Sequence, residues 1–176
     1  MEKLTKEFFA RPCVTVAREL VGKVLVRETD RGAVRLRISE TEVYCGEEDT
    51  ACHAHKGRTG RTEVMYGEAG RLYIYLCYGI HWLMNIVTGE VGQPEAVLIR
   101  ACLEAPGPGK LTRALGITGE MKRLPVWLAG EGDRSGPPEN GGPMGQVGCG
   151  LHGCGVFCPG QYLDSGPCPF LQYTNL

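Results

Sequence analysis

The chain has 176 residues, of which 43% are hydrophobic and 22% charged, which suits one globular domain with a core and excludes two full domains. Its 19 basic and 20 acidic residues give a formal charge of -1, so net charge does not indicate nucleic-acid binding and any such surface has to be local. No apolar run is typical of a signal peptide or a membrane span, so we expect a cytoplasmic protein with no membrane partner.

Glycine is the compositional outlier at 26 of 176 residues, and its distribution along the chain is uneven. Residues 135–176 hold ten glycines, six prolines and four cysteines, yet no lysine or arginine. We therefore divide the chain into a body, residues 1–134, and an atypical Gly/Pro/Cys-rich tail, residues 135–176, which is disordered or out of frame. The spacing of the tail cysteines fits neither common zinc nor common iron–sulfur motifs, so we expect no metal there.

The N-terminal segment, residues 5–22, carries apolar side chains at helical spacing but is interrupted by Pro12. A proline inside a helix removes a backbone hydrogen bond and clashes with the preceding turn. The pattern therefore predicts a short helix, a break, and a second helix that starts near Thr15 and ends at Gly22.

A β-hairpin is predicted next, because residues 24–26 and 34–38 are β-prone runs that flank a glycine-containing turn. The second strand is expected to continue through Tyr44. Side chains alternate between the two faces of a strand, so Glu40 and Glu42 fall on one face. Two carboxylates on one face suit acid–base chemistry, and the alternative is a solvated strand face.

Residues 45–70 form a polar segment that is long for a connection inside a compact domain, which favours a functional role. The segment includes a basic cluster at Lys56, Arg58 and Arg61. Its two histidines and the neighbouring cysteine lack the second, distant ligand pair that a metal site needs, so we expect no metal site.

Two further β-prone runs, residues 71–77 and 81–87, meet across the turn at residues 78–80 and predict an aromatic β-hairpin. Its aromatic side chains could stack on a nucleobase, or they could pack in an ordinary sheet. A strand over residues 96–101 and a short helix over residues 111–115 follow. Together these elements predict a single α+β domain with a curved, mainly antiparallel sheet, flanking short helices and a protruding aromatic β-hairpin.

Five short motifs carry more information than the composition does. They are SETEVY at 39–44, EDTACH at 48–53, GRLYIY at 70–75, MNI at 84–86 and VLIR at 97–100. In order and spacing, they resemble motifs of the alkyladenine (3-methyladenine) DNA glycosylase family. The resemblance extends from about residue 4 to about residue 118, and so many motifs in register make it specific.

The resemblance implies a monofunctional DNA glycosylase that acts by base flipping and starts base excision repair. Its substrates would be alkylated or deaminated purines in duplex DNA, of the 3-methyladenine, 7-methylguanine and hypoxanthine class. Glu42 matches the general base that activates the attacking water, and Arg100 matches the arginine that helps to position this water. The resemblance implies no metal and no organic cofactor, and no matched motif carries a lysine nucleophile.

The resemblance also assigns the residues that would bind DNA. Tyr44, His53 and Tyr75 match residues that stack on the flipped base or hydrogen-bond to it. Asn85 matches the pocket floor that discriminates against the exocyclic amine of guanine. An aromatic side chain at the hairpin tip would fill the gap that the flipped nucleotide leaves. The DNA-contacting residues implied in this way are Tyr78, Arg58, Arg61 and Met65.

Beyond about residue 128 the chain departs from the family pattern. From residue 135 lysine and arginine are absent while glycine, proline and cysteine increase, so we expect a reading-frame shift near residues 130–145. A chain without the family's last strands would expose apolar core surface.

We expect a monomer whose partner is duplex DNA with alkylated or deaminated bases. The alternative is a non-catalytic nucleic-acid-binding or metal-binding protein, in which the hairpin and the cysteines act without Glu42. Release of a free base from damaged DNA separates the two hypotheses, because a binding module releases none.

Overall fold

The computed structural model describes residues 3–126 and the backbone of two short strands further along the chain. The α-helices are α1 (Lys6–Phe9), α2 (Cys13–Leu20) and α3 (Pro108–Ala114). Single turns of 3-10 helix span His53–Lys56, Glu63–Tyr66 and Gly119–Met121. The strands are β1 (Val24–Thr29), β2 (Gly32–Cys45), β3 (Leu72–Cys77), β4 (His81–Thr88), β5 (Glu95–Cys102), β6 (Leu128–Ala129) and β7 (Val156–Phe157).

One sheet runs through the molecule in the order β3-β4-β5-β2-β1-β6, and β7 pairs with β2 at Thr41 and Glu42. Every pairing between these strands is antiparallel. The prediction of a single α+β domain with a mainly antiparallel sheet and short helices is confirmed. The predicted frame shift near residues 130–145 lies outside the described residues, and so does the tail apart from β7.

The central strands of the sheet are covered on both faces. On the first face, α2 and α3 pack over the larger hydrophobic core, which includes Ile38, Val43 and Ile99. On the second face, the polar segment 45–70 covers a smaller cluster that includes Tyr73. Alternate side chains of one strand point to opposite faces, so the side chains that do not point into the larger core lie on the second face.

Helix α2 begins at Cys13, two residues before the predicted start, and Pro12 is its N-cap residue. A proline is tolerated there because its missing N–H would have no partner inside the helix. The helix ends at Leu20, and Gly22 follows with a φ of 87°. The hydroxyl of Thr41 on β2 donates a hydrogen bond of 3.0 Å to the carbonyl of Ala17, which is one of the carbonyls left unpaired at a helix C-terminus.

The pleat of β2 and β5 is interrupted at one level. Ile38 and Thr41 both turn towards the first face although they are three residues apart, and Ile99 and Cys102 do the same on β5. The pairing between the strands is irregular only across this step. In each strand, the alternation of side chains between the two faces therefore shifts by one residue at this level.

The predicted faces of β2 hold beyond this interruption. Thr41 and Val43 are buried, at 0% and 2% exposure, so Glu42 and Tyr44 lie on the second face. Glu40 falls within the irregular step itself. Regular alternation therefore does not hold Glu40 beside Glu42, and the two carboxylates are not equivalent.

Strands β3 and β4 form a hairpin that closes in two residues. The N–H of Ile80 donates to the carbonyl of Cys77 at 3.1 Å, and the two central residues, Tyr78 and Gly79, have φ angles of 49° and 71°. This is the turn geometry that matches the twist of paired strands. At the tip, Tyr78 is 81% exposed and Ile80 is 72% exposed.

Candidate functional site

A small pocket lies on the second face of the sheet, against the polar segment 45–70. Its lining side chains are Tyr44, Ala51, Cys52, His53, Met65, Tyr73, Tyr75, Asn85 and Ala96. Only about 20 Å³ of it can be occupied by the centre of a water molecule, which is room for about one water. In this conformation the pocket is too small to admit a ligand with two fused rings.

A carboxylate is held beside this pocket. The hydroxyl of Tyr44 donates a hydrogen bond of 2.8 Å to Oε1 of Glu42, and Nε of Arg100 lies 3.8 Å from Oε2. The side chain of Glu42 is 13% exposed, whereas that of Arg100 is 42% exposed. Strand register explains the contact, because Glu42 pairs with Leu98 and Arg100 is the next residue of β5 on the same side.

His53 forms one wall of the pocket and makes a defined set of hydrogen bonds. Its Nδ1 lies 2.8 Å from the hydroxyl of Tyr73, and its Nε2 lies 3.3 Å from Nη2 of Arg61. A guanidinium can only donate, so Nε2 accepts and the ring proton is on Nδ1. Desolvation of the ring and then the nearby Arg61 cation lower the pKa of His53 to about 4, so the imidazole is neutral at physiological pH.

Three aromatic rings contact one another along this wall. The rings of His53 and Tyr75 meet edge to face with their centroids 4.7 Å apart, and those of Tyr73 and Tyr75 are 5.5 Å apart. Burial raises the pKa of both tyrosines, so their hydroxyls keep their protons at neutral pH. The wall therefore offers uncharged aromatic surface to a ligand.

Asn85 forms the innermost polar position of the pocket. It lies on β4 opposite Tyr73 and is 1% exposed. Its Nδ2 donates a hydrogen bond of 3.1 Å to the backbone carbonyl of Tyr73. The amide is therefore fixed to the sheet, and a ligand that enters meets a rigid polar floor.

Cations surround the outer side of the pocket. The Cζ atom of Arg61 lies 5.2 Å from the centroid of the Tyr75 ring, and Nζ of Lys122 lies 5.7 Å from that of Tyr73. Nζ of Lys122 also donates to the carbonyl of Arg61 at 3.0 Å. Arg58 lies apart from this group, because its guanidinium makes two hydrogen bonds to the carboxylate of Glu63, at 2.8 and 2.7 Å.

The structure brings most of the predicted site residues together. The residues that line the pocket or contact a lining side chain are Glu42, Tyr44, His53, Arg61, Met65, Tyr75 and Asn85, and Arg100 contacts Glu42. Met65 corrects our assignment: it is 1% exposed, so its side chain has no surface to present to DNA and belongs to the pocket wall. Tyr78 lies at the hairpin tip, outside the pocket lining.

Two residues of the site have no assigned role in the sequence analysis. Tyr73 lines the pocket and orients His53, and its position two residues before Tyr75 on one strand could have revealed it. Lys122 reaches the pocket from a segment far along the chain. No local pattern marks such a residue, because only the fold brings it close.

Two further findings concern the described residues. No three of their histidine, cysteine, aspartate and glutamate side chains are grouped so that they could hold a metal ion. None of their helices is both long enough and apolar enough to span a membrane.

The arrangement suits a specific kind of chemistry. A neutral aromatic wall can stack on a flat, electron-poor ring, and a cationic ring gains most from it. A carboxylate with one oxygen held by Tyr44 can accept a proton from a water molecule next to that ring. The cations around the pocket can hold an anionic ligand or chain outside it.

A family model and several similar curated proteins all carry the name of one kind of DNA glycosylase. A protein-family model described as "Methylpurine-DNA glycosylase (MPG)" matches residues 7–106. Among similar curated proteins, one from Methanocella arvoryzae is 44% identical over 151 residues, covering 74% of this chain and 76% of that protein. One from Myxococcus xanthus is 50% identical over 128 residues, covering 67% of this chain and 66% of that protein.

A third relative, from Desulfitobacterium hafniense, is 53% identical over 102 residues, which cover 57% of this chain and 50% of that protein. All three carry the name "Putative 3-methyladenine DNA glycosylase". The matched regions thus span between half and about three quarters of each relative's length.

Proposed function

The chain belongs to the methylpurine-DNA glycosylase family, and from this we propose that it removes alkylated or deaminated purines from duplex DNA by hydrolysing the N-glycosidic bond. The observation that carries the proposal is the carboxylate of Glu42, which Tyr44 holds beside an aromatic pocket. A base inside a duplex cannot reach such a pocket, so the damaged nucleotide has to flip out of the helix.

Binding of the flipped base uses the second face of the sheet. The rings of Tyr44 and Tyr75 stack on the purine, and a purine with a positive charge from alkylation gains cation–π attraction. His53, neutral at physiological pH, offers a hydrogen-bonding edge without repelling that charge. Asn85, fixed to the backbone of β3, forms the floor and disfavours the exocyclic amine of guanine.

Hydrolysis uses the carboxylate. Glu42 accepts a proton from a water molecule while the oxygen of that water bonds to C1′ of the sugar. The purine leaves with the electron pair of the glycosidic bond. The sugar passes through an oxocarbenium-like state, which the negative carboxylate stabilises. Arg100, next to Oε2 of Glu42, positions the water. An alkylated purine leaves as a neutral base, which makes it a good leaving group.

The hairpin tip and the basic residues hold the DNA. Tyr78 projects from the tip and fills the space of the flipped nucleotide, which offsets part of the lost stacking. Arg58 and Arg61 contact phosphates next to the lesion. The exposure of Tyr78 and the basic cluster of Lys56, Arg58 and Arg61 within the polar segment support this arrangement.

The direct test is release of free base from duplex DNA that contains 3-methyladenine or hypoxanthine, measured under single-turnover conditions. We expect Glu42→Gln to reduce the rate by about 10²–10⁴-fold or more, because the amide cannot accept the proton. DNA affinity should be retained, since glutamine has nearly the same size and adds no negative charge.

Glu40→Gln is the matched control, because it removes the same charge two residues away and should retain most of the release rate. Near-normal release by Glu42→Gln would contradict the assignment of the base. Binding without release by the unmodified chain would instead support a non-catalytic nucleic-acid-binding protein.

A further inference from the structure

The side chain of Arg61 turns towards the pocket rather than towards an acidic partner. Its Nη2 lies 3.3 Å from Nε2 of His53, and its Cζ lies 5.2 Å from the centroid of Tyr75. Both partners are rings of the pocket wall. Among residues 3–126, no carboxylate forms an ion pair with Arg61, in contrast to Arg58, which is paired with Glu63.

Hydrogen bonds fix the backbone at Arg61, whereas its side chain forms no ion pair with a carboxylate of the described residues. The carbonyl of Arg61 accepts the hydrogen bond from Lys122, and the hydroxyl of the next residue, Thr62, donates to the carbonyl of Gly57 at 3.1 Å. The guanidinium, by contrast, contacts one imidazole nitrogen, one ring face and the hydroxyl of Tyr73, all of them uncharged. A stronger acceptor can therefore draw it away without unfolding the segment.

The position of the guanidinium conflicts with the ligand of the proposed function. A cationic purine would gain its attraction to Tyr75 from the same ring that Arg61 now engages. Two positive charges at one aromatic ring repel each other, and the pocket has room for about one water while the ring is covered. Arg61 therefore has to leave before the base can stack.

From this conflict, and resting on the proposed function, we infer that Arg61 covers the base pocket in free protein and that a DNA phosphate releases it. A phosphate offers the guanidinium two charge-assisted hydrogen bonds, which are stronger than its present contacts. Arg61 is thus a positioning residue whose guanidinium contacts the Tyr75 ring in free protein and a phosphate of the DNA backbone in the complex. The pocket opens when the protein is on DNA and stays closed to free purines in solution.

The first test measures binding of the free base 3-methyladenine by calorimetry in the absence of DNA. We expect Arg61→Ala to bind the free base several-fold more tightly than the unmodified chain, because the ring of Tyr75 is uncovered. The same variant should bind undamaged duplex DNA more weakly, with a salt dependence reduced by about one phosphate contact.

Arg31→Ala is the matched control, since it also removes one positive charge but lies at the exposed β1–β2 turn, between Thr29 and Gly32 and outside the pocket lining. It should leave the affinity for the free base unchanged. Thermal unfolding of each variant shows that the fold is intact. Equal or weaker affinity of Arg61→Ala for the free base, or no binding by either protein, overturns the inference.

The second test follows the Nε2 nitrogen of His53 by NMR. In the unmodified chain, a short undamaged duplex should shift this resonance towards the value in free Arg61→Ala, because both changes remove the guanidinium donor. In Arg61→Ala the duplex should change it little. An equal response of both proteins to DNA overturns the inference, since a purely structural Arg61 would not move.

These outcomes separate the inference from the proposed function. If the unmodified chain releases base from damaged DNA but Arg61→Ala binds the free base no better, the proposed function stands and the inference that Arg61 covers the pocket is wrong. If Arg61→Ala binds the free base more tightly while the unmodified chain releases none, the cover stands and the catalytic proposal is wrong.

Discussion

Tyr78 combines two properties that a folding sequence normally avoids. It is a large aromatic side chain left 81% exposed, and its φ of 49° lies in the left-handed region, where residues other than glycine and asparagine are strained. The tight turn requires the positive φ, but a tyrosine is a strained choice there and gains no burial in return. Strain and exposure concentrated in one residue at the tip of a hairpin indicate a functional demand on that position.

We therefore predict that Tyr78→Asn stabilises the protein and weakens its activity. Asparagine tolerates a positive φ, so the substitution should raise the free energy of unfolding by about 1 kcal/mol and Tm by about 2–4 °C. Release of hypoxanthine should fall by about tenfold when the lesion is well paired and less when it is mispaired, since flipping then costs less. Calorimetry and the release assay check the two parts.

Tyr78→Phe provides the comparison, because it keeps both the ring and the strain. It should match the unmodified chain in Tm and in release. Equal losses on paired and mispaired lesions for Tyr78→Asn would count against insertion of the tyrosine ring into the helix.

At the level of single residues, sequence reasoning reached the site only in part. Spacing alone made Glu40 and Glu42 equivalent, and the family resemblance was needed to choose between them. The structure shows a physical difference, since the pleat is irregular at Glu40. The inward turn of Arg61 was also unpredictable, because it depends on rings that are distant in sequence.

At the level of elements, Thr41 links the strand of the proposed catalytic base to α2. Its hydroxyl is buried and donates to the carbonyl of Ala17 near the end of that helix. Thr88 on β4 makes a natural comparison. It is also 0% exposed, but its hydroxyl has no hydrogen-bond partner among the described residues.

The same substitution should destabilise the protein at Thr41 but not at Thr88. Thr41→Val leaves the carbonyl of Ala17 buried without a donor, so we expect a loss of about 1–3 kcal/mol in the free energy of unfolding. Thr88→Val replaces an unpaired hydroxyl by a methyl group and should be neutral or stabilising. Urea unfolding of both variants checks this, and similar losses would show that shape, not hydrogen bonding, decides.

Both hairpins were predictable because alternation and turn residues are local signals. The sequence pattern predicts a start of α2 that is two residues too late, since it does not reveal whether Pro12 interrupts a helix or caps one. The single 3-10 turns of segment 45–70 were not predicted. Their buried members, such as Ala54 and Val64, are fixed by packing against the sheet, which no local pattern encodes.

At the level of the whole molecule, the composition of the chain changes near residue 134, and the family model matches residues before that change. The family model matches residues 7–106, and the relative from Methanocella arvoryzae covers 74% of the chain. The tail nevertheless contributes β7, which pairs with β2 at Thr41 and Glu42. The origin of residues 135–176 in a shifted frame and the pairing of β7 with β2 are therefore separate questions.

We predict that sequencing the locus will reveal a frame shift near codons 130–145. The expectation rests on the complete loss of lysine and arginine from residues 135–176. Restoring the frame should raise Tm and the rate of base release, because a family-type segment would cover apolar surface. An uninterrupted frame that encodes this tail would contradict the prediction.

The interruption shared by β2 and β5 has a consequence for which changes the gene can accept. Substitutions near Ser39 and Glu40 alter one side chain each. The loss or gain of a single codon there would move each later side chain of β2 to the opposite face of the sheet. Glu42 would then point into the hydrophobic core, and Val43 would point towards the pocket. Insertions and deletions should therefore be far rarer at this point than point mutations, and a sequence alignment that opens a gap here would be misaligned.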